Sequence, residues 1–254
     1  MRIISTRFIN ISKLTKPIAF VLMVGLFIGV KAEAGYTAQI PAENEDSLAA
    51  ASMNHAATHV LAPVYPYLAQ YIVEICSLQH KRGIGIDLGG GAGDLVTQLA
   101  PYTPGLYWIN ADINPWYLSY VSHKTLKYHC QGQVGFIKAD ATNLPFKDNF
   151  ADAIVSRASF HFWPDMEKGF SEIKRVLKPG GKVFLGRGMP PNMPVDTARA
   201  IRKQQNNRIT GYNPRHFANT FKNIMNNLNI NDYKIIIPKP DTDVKYGMWI
   251  YFSY

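Results

Sequence analysis

The sequence is poor in several features that would assign it to a class at once. Only two of its 254 residues are cysteine, and Cys76 and Cys130 match no C-x-x-C or zinc-ligand spacing. No run rich in Lys and Arg is present, which disfavours a nucleic-acid partner. Cys76 shares an apolar helical face with Leu68 and Ile72, so we expect a buried structural thiol there, and a disulfide between the two cysteines stays open.

What is present describes an ordinary globular chain. Hydrophobic residues make up 47% and charged residues 18%, which predicts a folded protein of one main domain. The formal net charge is +9, but residues 1–34 carry +4 of it. The remainder is therefore only mildly basic, and a small-molecule ligand is favoured over a nucleic acid.

The N-terminal 34 residues have the pattern of a targeting segment. An apolar run of 13 residues, 18–30, follows a basic stretch and precedes the A-x-A tripeptide at 32–34. The run is shorter than the roughly 20 residues of a transmembrane helix. We expect a secretory signal peptide or an N-terminal anchor, hence export or membrane attachment; a mitochondrial presequence, or a misread cytoplasmic protein, is the alternative.

The next segments lead into the main domain, which we place at residues 61–254. Residues 35–60 have weak periodicity and are expected to be a loosely attached lead-in. His55 and His59 stand four apart without a third ligand nearby, so no metal site is predicted. Apolar positions recur with a helical period over residues 66–78, and a short apolar strand follows at 84–88.

The most informative stretch is the glycine-rich turn after that strand. It fails the dinucleotide pattern G-x-G-x-x-G, because counting from Gly89 and Gly91 the third position is Asp94. It fits D-x-G-x-G-x-G, with Asp87 at the end of the strand and Gly93 before a helix. A strand, a bare glycine turn and a helix N-terminus form a site for the polar part of a nucleotide-like ligand.

At this turn the chain resembles the class I S-adenosylmethionine-dependent methyltransferases, and in particular their type 11-like domain. Over residues 60–187 three further landmarks follow in order. They are Asp112 closing a second strand, the Asp140-Ala141 pair after a third strand, and a K-P-G-G turn at 178–181. The resemblance implies an α/β, three-layer Rossmann-like, mostly parallel sheet with helices on both faces. Residues 233–237 and 246–252 are expected to add an antiparallel C-terminal hairpin.

The resemblance also implies S-adenosyl-L-methionine as the cofactor and assigns residues to it. Asp112, with Ile113 beside it, would take the ribose hydroxyls, and Asp140 with Ala141 would hold the adenine. The remaining cofactor-binding positions are those of the turn, namely Asp87, Gly89, Gly91 and Gly93. For Asp112 the alternative is an exposed loop aspartate.

The methyl acceptor is expected beyond the fourth strand. Trp163 and the two phenylalanines before it, Phe160 and Phe162, are predicted to wall an apolar pocket, or else to pack the following helix. Arg157 is predicted to bind an anionic acceptor, or else to pair with Asp152 or Asp165. His161 is a candidate general base, with a structural role as its alternative. The proline-rich loop at 189–194 is a candidate lid.

These observations predict a methyltransferase acting on a small molecule. One alternative is a protein that binds S-adenosylmethionine without turnover, since no catalytic group is compelled by the sequence. A nicotinamide-dependent oxidoreductase is disfavoured by the glycine spacing. Membrane contact is expected only through the N-terminal segment. The acceptor and the oligomeric state stay open.

Overall fold

The computed structural model describes residues 44–205 and 214–253; the predicted targeting segment lies outside them. Seven strands are present in these residues: β1 Gly83–Leu88, β2 Leu106–Asp112, β3 Val134–Lys138, β4 Ala151–Arg157, β5 Leu177–Gly188, β6 Tyr233–Ile236 and β7 Gly247–Ser253. The α-helices there are α1 Glu45–Thr58, α2 Val64–Ile75, α3 Asp94–Leu99, α4 Tyr117–Lys127, α5 Met166–Val176, α6 Val195–Gln204 and α7 Pro214–Asn227.

The strands form one sheet in the order β3-β2-β1-β4-β5-β7-β6. The pairs from β3 to β5 are parallel, whereas β7 runs antiparallel to both β5 and β6. This confirms the predicted mostly parallel sheet with an antiparallel C-terminal pair. The strand order reverses between β1 and β4, so the connections that leave their carboxyl ends go to opposite faces of the sheet and leave a crevice, where ligands bind in open α/β sheets.

Helices cover both faces of the sheet, as predicted. Alternation along the strands sends Ile86 and Leu88 to one face and Trp108 and Val155 to the other. The first face packs against the apolar stripes of α5 and α7, which include Phe170 and Phe221. The second face is covered by α2, α3 and α4. Large side chains on both faces are fully buried, so the sheet is a rigid base for the strand ends.

Gly85 in the middle of β1 shows why a strand of this sheet carries a glycine. A Cβ at this position would lie 2.5 Å from the Trp108 ring on β2. The indole therefore fills the space above β1, and its Nε1 donates a hydrogen bond of 2.8 Å to Thr103 Oγ1.

Cys76 is buried on this face and both cysteines are free thiols, which confirms the buried thiol predicted for Cys76.

The structure differs from expectation in three places. The lead-in contains a regular helix, α1, whose cap Asn44 accepts a hydrogen bond from the Ser47 backbone N–H. The Asn114-Pro115 dipeptide predicts a helix start with Asn114 as its cap, but α4 begins only at Tyr117. The K-P-G-G segment lies within β5 as an irregularity, where pairing jumps from Ala151↔Leu177 to the register of residue 182.

Helix length in this part of the chain gives one further finding. No helix within residues 44–205 and 214–253 is long and apolar enough to cross a bilayer.

Candidate cofactor site

A cleft of about 310 Å³ opens at the carboxyl ends of β1 to β4. Its floor is the glycine turn, and its sides come from the segments that follow β2, β3 and β4. Helices α1, α2 and α4 contribute further wall residues. The predicted site residues that line it are Gly89, Gly91, Asp112, Ile113, Asp140, Ala141, Arg157 and Trp163.

The glycine turn requires glycine for reasons of backbone geometry and of space. Gly89, Gly91 and Gly93 all have φ between +53° and +81°, the left-handed region that side chains disfavour. A Cβ at Gly89 would overlap Ser159 Oγ. At Gly91 it would meet only Tyr117, at 3.7 Å, so that the backbone there is open towards the cleft.

Asp112 holds the turn as well as lining the cleft. One carboxylate oxygen accepts a hydrogen bond of 2.9 Å from the Gly91 N–H, and the other accepts from the Asn114 N–H, also at 2.9 Å. Burial raises the pKa of Asp112, and these two N–H donors oppose the rise. An ionised carboxylate has about four lone pairs, so the side chain can also accept from ribose hydroxyls while it keeps these anchors.

Asp87 lies beneath the turn rather than in the cleft wall. It is 1% exposed, and neither carboxylate oxygen has a partner of good hydrogen-bond geometry within the described residues. Burial, reinforced by the charges of Asp112 and Asp94, raises the pKa of Asp87 from 3.8 to about 8. The Val96 backbone N–H and Arg157 oppose the rise. The group is therefore largely protonated at neutral pH.

Asp140 and Ala141 follow β3 at the far end of the cleft. Asp140 Oδ1 accepts from both the backbone N–H and the hydroxyl of Thr142, at 2.8 and 2.9 Å. These bonds fix the carboxylate in one orientation on the cleft wall. Ala139 and Ala141 add little bulk on either side, which leaves room for a flat ring. Ile113 lines the same region and is 60% exposed.

The acceptor side is only partly as predicted. Trp163 lines the cleft, and its Nε1 donates a hydrogen bond of 2.9 Å to Ser159 Oγ. Arg157 also lines it and forms neither of the aspartate pairs considered for it. Asp152 instead binds Lys178, and Asp165 caps α5 through the Lys168 N–H.

Two residues predicted for the acceptor side lie elsewhere. Phe160 is fully buried against Phe217 and Phe221, so the prediction that it walls the acceptor pocket is wrong, whereas Phe162 lines the cleft. His161 is not a cleft wall residue. Burial, with a smaller contribution from Arg187, lowers the pKa of His161 to about 4. Its role as a base stays untested, with no support from its position.

The candidate lid is packed into the body of the domain. Met189 and Met193 are fully buried in a cluster with residues of α2 and α6. The Trp249 indole donates to the Met189 carbonyl and the Tyr246 hydroxyl donates to that of Met193. These contacts hold the loop away from the cleft walls.

Several residues that line the cleft are not predicted by the sequence. Met53 and Ala57 come from α1, and Tyr65 from α2. The Asn114 side chain donates a hydrogen bond of 2.9 Å to the Asp46 carbonyl and so connects α1 to the loop after β2. Asn44 followed by acidic residues was a helix-start signal that could have revealed α1. Nothing in the sequence alone indicates that Tyr65 faces this cleft.

The wall residues fit S-adenosylmethionine by the donors and acceptors that they offer. The glycine turn, which a Cβ would obstruct, leaves room for the methionine chain of the cofactor. The Asp112 carboxylate can accept from the hydroxyls of the sugar. Asp140, held in one orientation beside two alanines, suits the purine. In the described residues, no group of three His, Cys, Asp or Glu is placed to hold a metal ion.

Comparison with known sequences supports this interpretation of the site. Residues 86–185 match the family model described as "Methyltransferase domain". A demethylmenaquinone methyltransferase of Thermus thermophilus is 36% identical over 107 residues, which are 42% of this chain and 47% of that protein. A chloroplastic 2-methyl-6-phytyl-1,4-hydroquinone methyltransferase of Spinacia oleracea is 32% identical over 44% of this chain and 32% of its own length. The chain therefore spans about half the length, or less, of these curated relatives.

Comparison with solved structures extends the match to most of the domain. A proposed S-adenosylmethionine-dependent methyltransferase of Methanococcus maripaludis has a TM-score of 0.70 and 26% identity, over 84% of this chain and 96% of that one. A methyltransferase of Aquifex aeolicus, with a TM-score of 0.57 and 16% identity over 83% of this chain and 98% of that one, shares the fold. Residues 86–185 thus have the sequence pattern, and lie in the fold, of class I S-adenosylmethionine-dependent methyltransferase domains.

Proposed function

We propose that the protein is an S-adenosylmethionine-dependent methyltransferase acting on a small-molecule acceptor. The observation that carries the proposal is that the glycine turn, Asp112 and Asp140 line one cleft. The turn follows β1, Asp112 closes β2 and Asp140 follows β3, and these three strands are adjacent in the sheet. The adenine, the ribose and the methionine end of one extended cofactor molecule would therefore each lie next to a group that suits it.

Methyl transfer asks mainly for alignment. The bound cofactor supplies a methyl group already activated on a positive sulfonium. The protein has to hold an acceptor atom in line with that group and to exclude water. Trp163 and Phe162 form an aromatic wall next to the end of β4, where such an acceptor would lie.

The rim of the cleft favours an apolar, ring-bearing acceptor. Met53 and Phe162 line the cleft and are 50% and 70% exposed. Exposed apolar groups gathered at the mouth of a site typically contact an apolar ligand. Since the relatives above are named for quinone and hydroquinone substrates, we propose a quinol as the first acceptor class to test.

Calorimetry on the purified full-length protein tests the cofactor. S-adenosylmethionine and S-adenosylhomocysteine are expected to bind with Kd between roughly 0.1 and 50 µM, that is, about −6 to −10 kcal/mol. NADH is expected not to bind, and binding of NADH alone would instead support the oxidoreductase.

Transfer of a labelled methyl group tests turnover. With demethylmenaquinol as acceptor and S-adenosylmethionine labelled on its methyl group, label is expected in the extracted quinol. Cofactor binding without label in this quinol, or in any other small molecule of a cell extract, would favour the protein that binds without turnover.

We also propose that residues 1–34 direct export or membrane attachment. The proposal rests on the basic stretch, the 13-residue apolar run and the A-x-A tripeptide. N-terminal sequencing of the mature protein is expected to start at Gly35 if the segment is cleaved, or at Met1 in a membrane fraction if it anchors. A cytosolic protein starting at Met1 would contradict both.

A further inference from the structure

Arg157 brings to the cleft a positive charge that contacts with the adenine and the ribose of the cofactor do not explain. It ends β4 and lines the cleft together with Tyr65 of α2. Its guanidinium carbon lies 5.1 Å from the centre of the Tyr65 ring. Its Nε is buried and has no hydrogen-bond partner within residues 44–205 and 214–253. A buried donor without a partner costs free energy, which a ligand can recover.

The surrounding charges do not neutralise this guanidinium. Asp152 and Asp165 are engaged elsewhere, and no carboxylate in the described part of the chain forms an ion pair with Arg157. Asp87 lies close enough to interact with it, but Asp87 is largely protonated at neutral pH. The cleft wall at the end of β4 therefore presents positive charge to whatever binds there.

The strand order shows which part of the cofactor reaches this charge. Reading along the sheet edge, β3 brings Asp140, β2 brings Asp112 and β1 brings the glycine turn. The next strand in the same direction is β4, which ends at Arg157. A cofactor with its adenine at Asp140 and its ribose at Asp112 extends its amino-acid end past the turn towards β4. That end bears a carboxylate.

We propose that Arg157 and Tyr65 bind the α-carboxylate of the methionine moiety of the cofactor. The proposal rests on the proposed function and revises the expectation that Arg157 contacts the methyl acceptor. Arg157 offers a charged, planar fork of donors that matches a carboxylate. Tyr65 supplies one phenolic O–H beside it. The acceptor then meets the aromatic wall of Phe162 and Trp163 instead of a charge.

Two ligands that differ in the amino-acid end separate this role from others. S-adenosylhomocysteine has the carboxylate, whereas 5′-methylthioadenosine lacks the whole amino-acid group. R157Q is expected to weaken S-adenosylhomocysteine about 10- to 100-fold and to leave 5′-methylthioadenosine within about twofold of wild type. Y65F is expected to show the same selectivity with a smaller loss, roughly threefold to tenfold.

A carboxylate-specific probe and a matched control complete the experiment. Decarboxylated S-adenosylmethionine, which keeps the amine, is expected to bind R157Q and wild type equally. D112N, at the sugar position, is expected to weaken all these ligands alike. Binding of 5′-methylthioadenosine shows that the cleft of a variant is folded. If R157Q does not bind this nucleoside, R157K is tested in its place, because it keeps the positive charge and removes the planar fork of donors.

The outcomes distinguish the two proposals. If wild type binds neither nucleoside, the proposed function fails. If wild type binds both and R157Q binds S-adenosylhomocysteine as tightly as wild type, the carboxylate assignment is wrong. A raised KM for the acceptor in R157Q, with unchanged S-adenosylhomocysteine affinity, would return Arg157 to the acceptor site.

Discussion

The two ends of the cleft are built in different ways. The end that faces β1, β2 and β3 consists of backbone and short acidic side chains, from a turn and two strand ends within residues 87–141. Its groups are fixed by hydrogen bonds to nearby backbone, as at Asp112 and Asp140. The end beyond β4 consists of large side chains from the segment around Phe162 and of Tyr65 from α2. The first end is therefore specified locally, and the second only by tertiary packing.

Asp112→Ala should produce the largest effect of removing a side chain at the locally specified end. The carboxylate is proposed to bind the ribose, and it also anchors the N–H groups of Gly91 and Asn114. Loss of charged hydrogen bonds should weaken S-adenosylhomocysteine by about 1 to 3 kcal/mol, near the upper limit because the turn loosens too. Calorimetry measures it.

The control for this change is Asp241→Ala, at an exposed aspartate outside the cleft walls. Its affinity for the cofactor product is expected to equal that of wild type. If Asp112→Ala also binds like wild type, the ribose assignment is refuted.

Gly91→Ala should separate backbone strain from loss of the site. At φ +53° a side chain costs about 1 to 2 kcal/mol of folding stability, and the added methyl group faces the open side of the turn. Cofactor affinity is expected to fall about tenfold or more, and the bulkier Gly91→Val should abolish binding.

Gly180→Ala is the matched control, since Gly180 has φ +76° with nothing within 4 Å of a Cβ and lies outside the cleft. Its stability should fall by a similar amount while binding is unchanged. Equal losses of binding in both glycine variants would show that only general destabilisation is measured.

Asp87 gives the locally specified end a dependence on pH. Because its pKa rises from 3.8 to about 8 on folding, the folded protein keeps a proton that the unfolded chain releases. Its contribution therefore makes the free energy of unfolding decrease as pH rises from about 4 to about 8. Asp87→Asn should decline less over this range in urea unfolding at pH 5 and pH 8, and an equal decline would contradict the buried protonated acid.

His161→Gln should have the smallest effect, because the imidazole is not a cleft wall residue. Cofactor affinity is expected to stay within about twofold of wild type. The pH profile of kcat should show no step near pH 6.5 that the variant removes, since burial lowers the pKa of His161 to about 4. Loss of kcat by 100-fold or more with an intact fold would restore the general-base hypothesis.

The contrast between the two ends also explains what the sequence could predict. The glycine spacing and the acids at strand ends are short-range patterns, so β1, β2, β3 and their wall residues followed directly. Phe160 and Phe162 are two positions apart, and only packing against Phe221 decides which of them is buried. Asn114 looked like a helix cap, but its side chain accepts from the Trp116 N–H and donates to the Asp46 carbonyl, a contact 68 residues away. Such contacts have no signature in a single sequence.

A crystal structure with bound S-adenosylhomocysteine tests the central claim most directly. We expect both ribose hydroxyls within about 2.6–3.2 Å of the Asp112 carboxylate oxygens, the adenine beside Asp140 and Ala141, and the methionine chain crossing the glycine turn towards β4. A nucleoside bound in the opposite direction, or in a site that does not include Asp112, would contradict it.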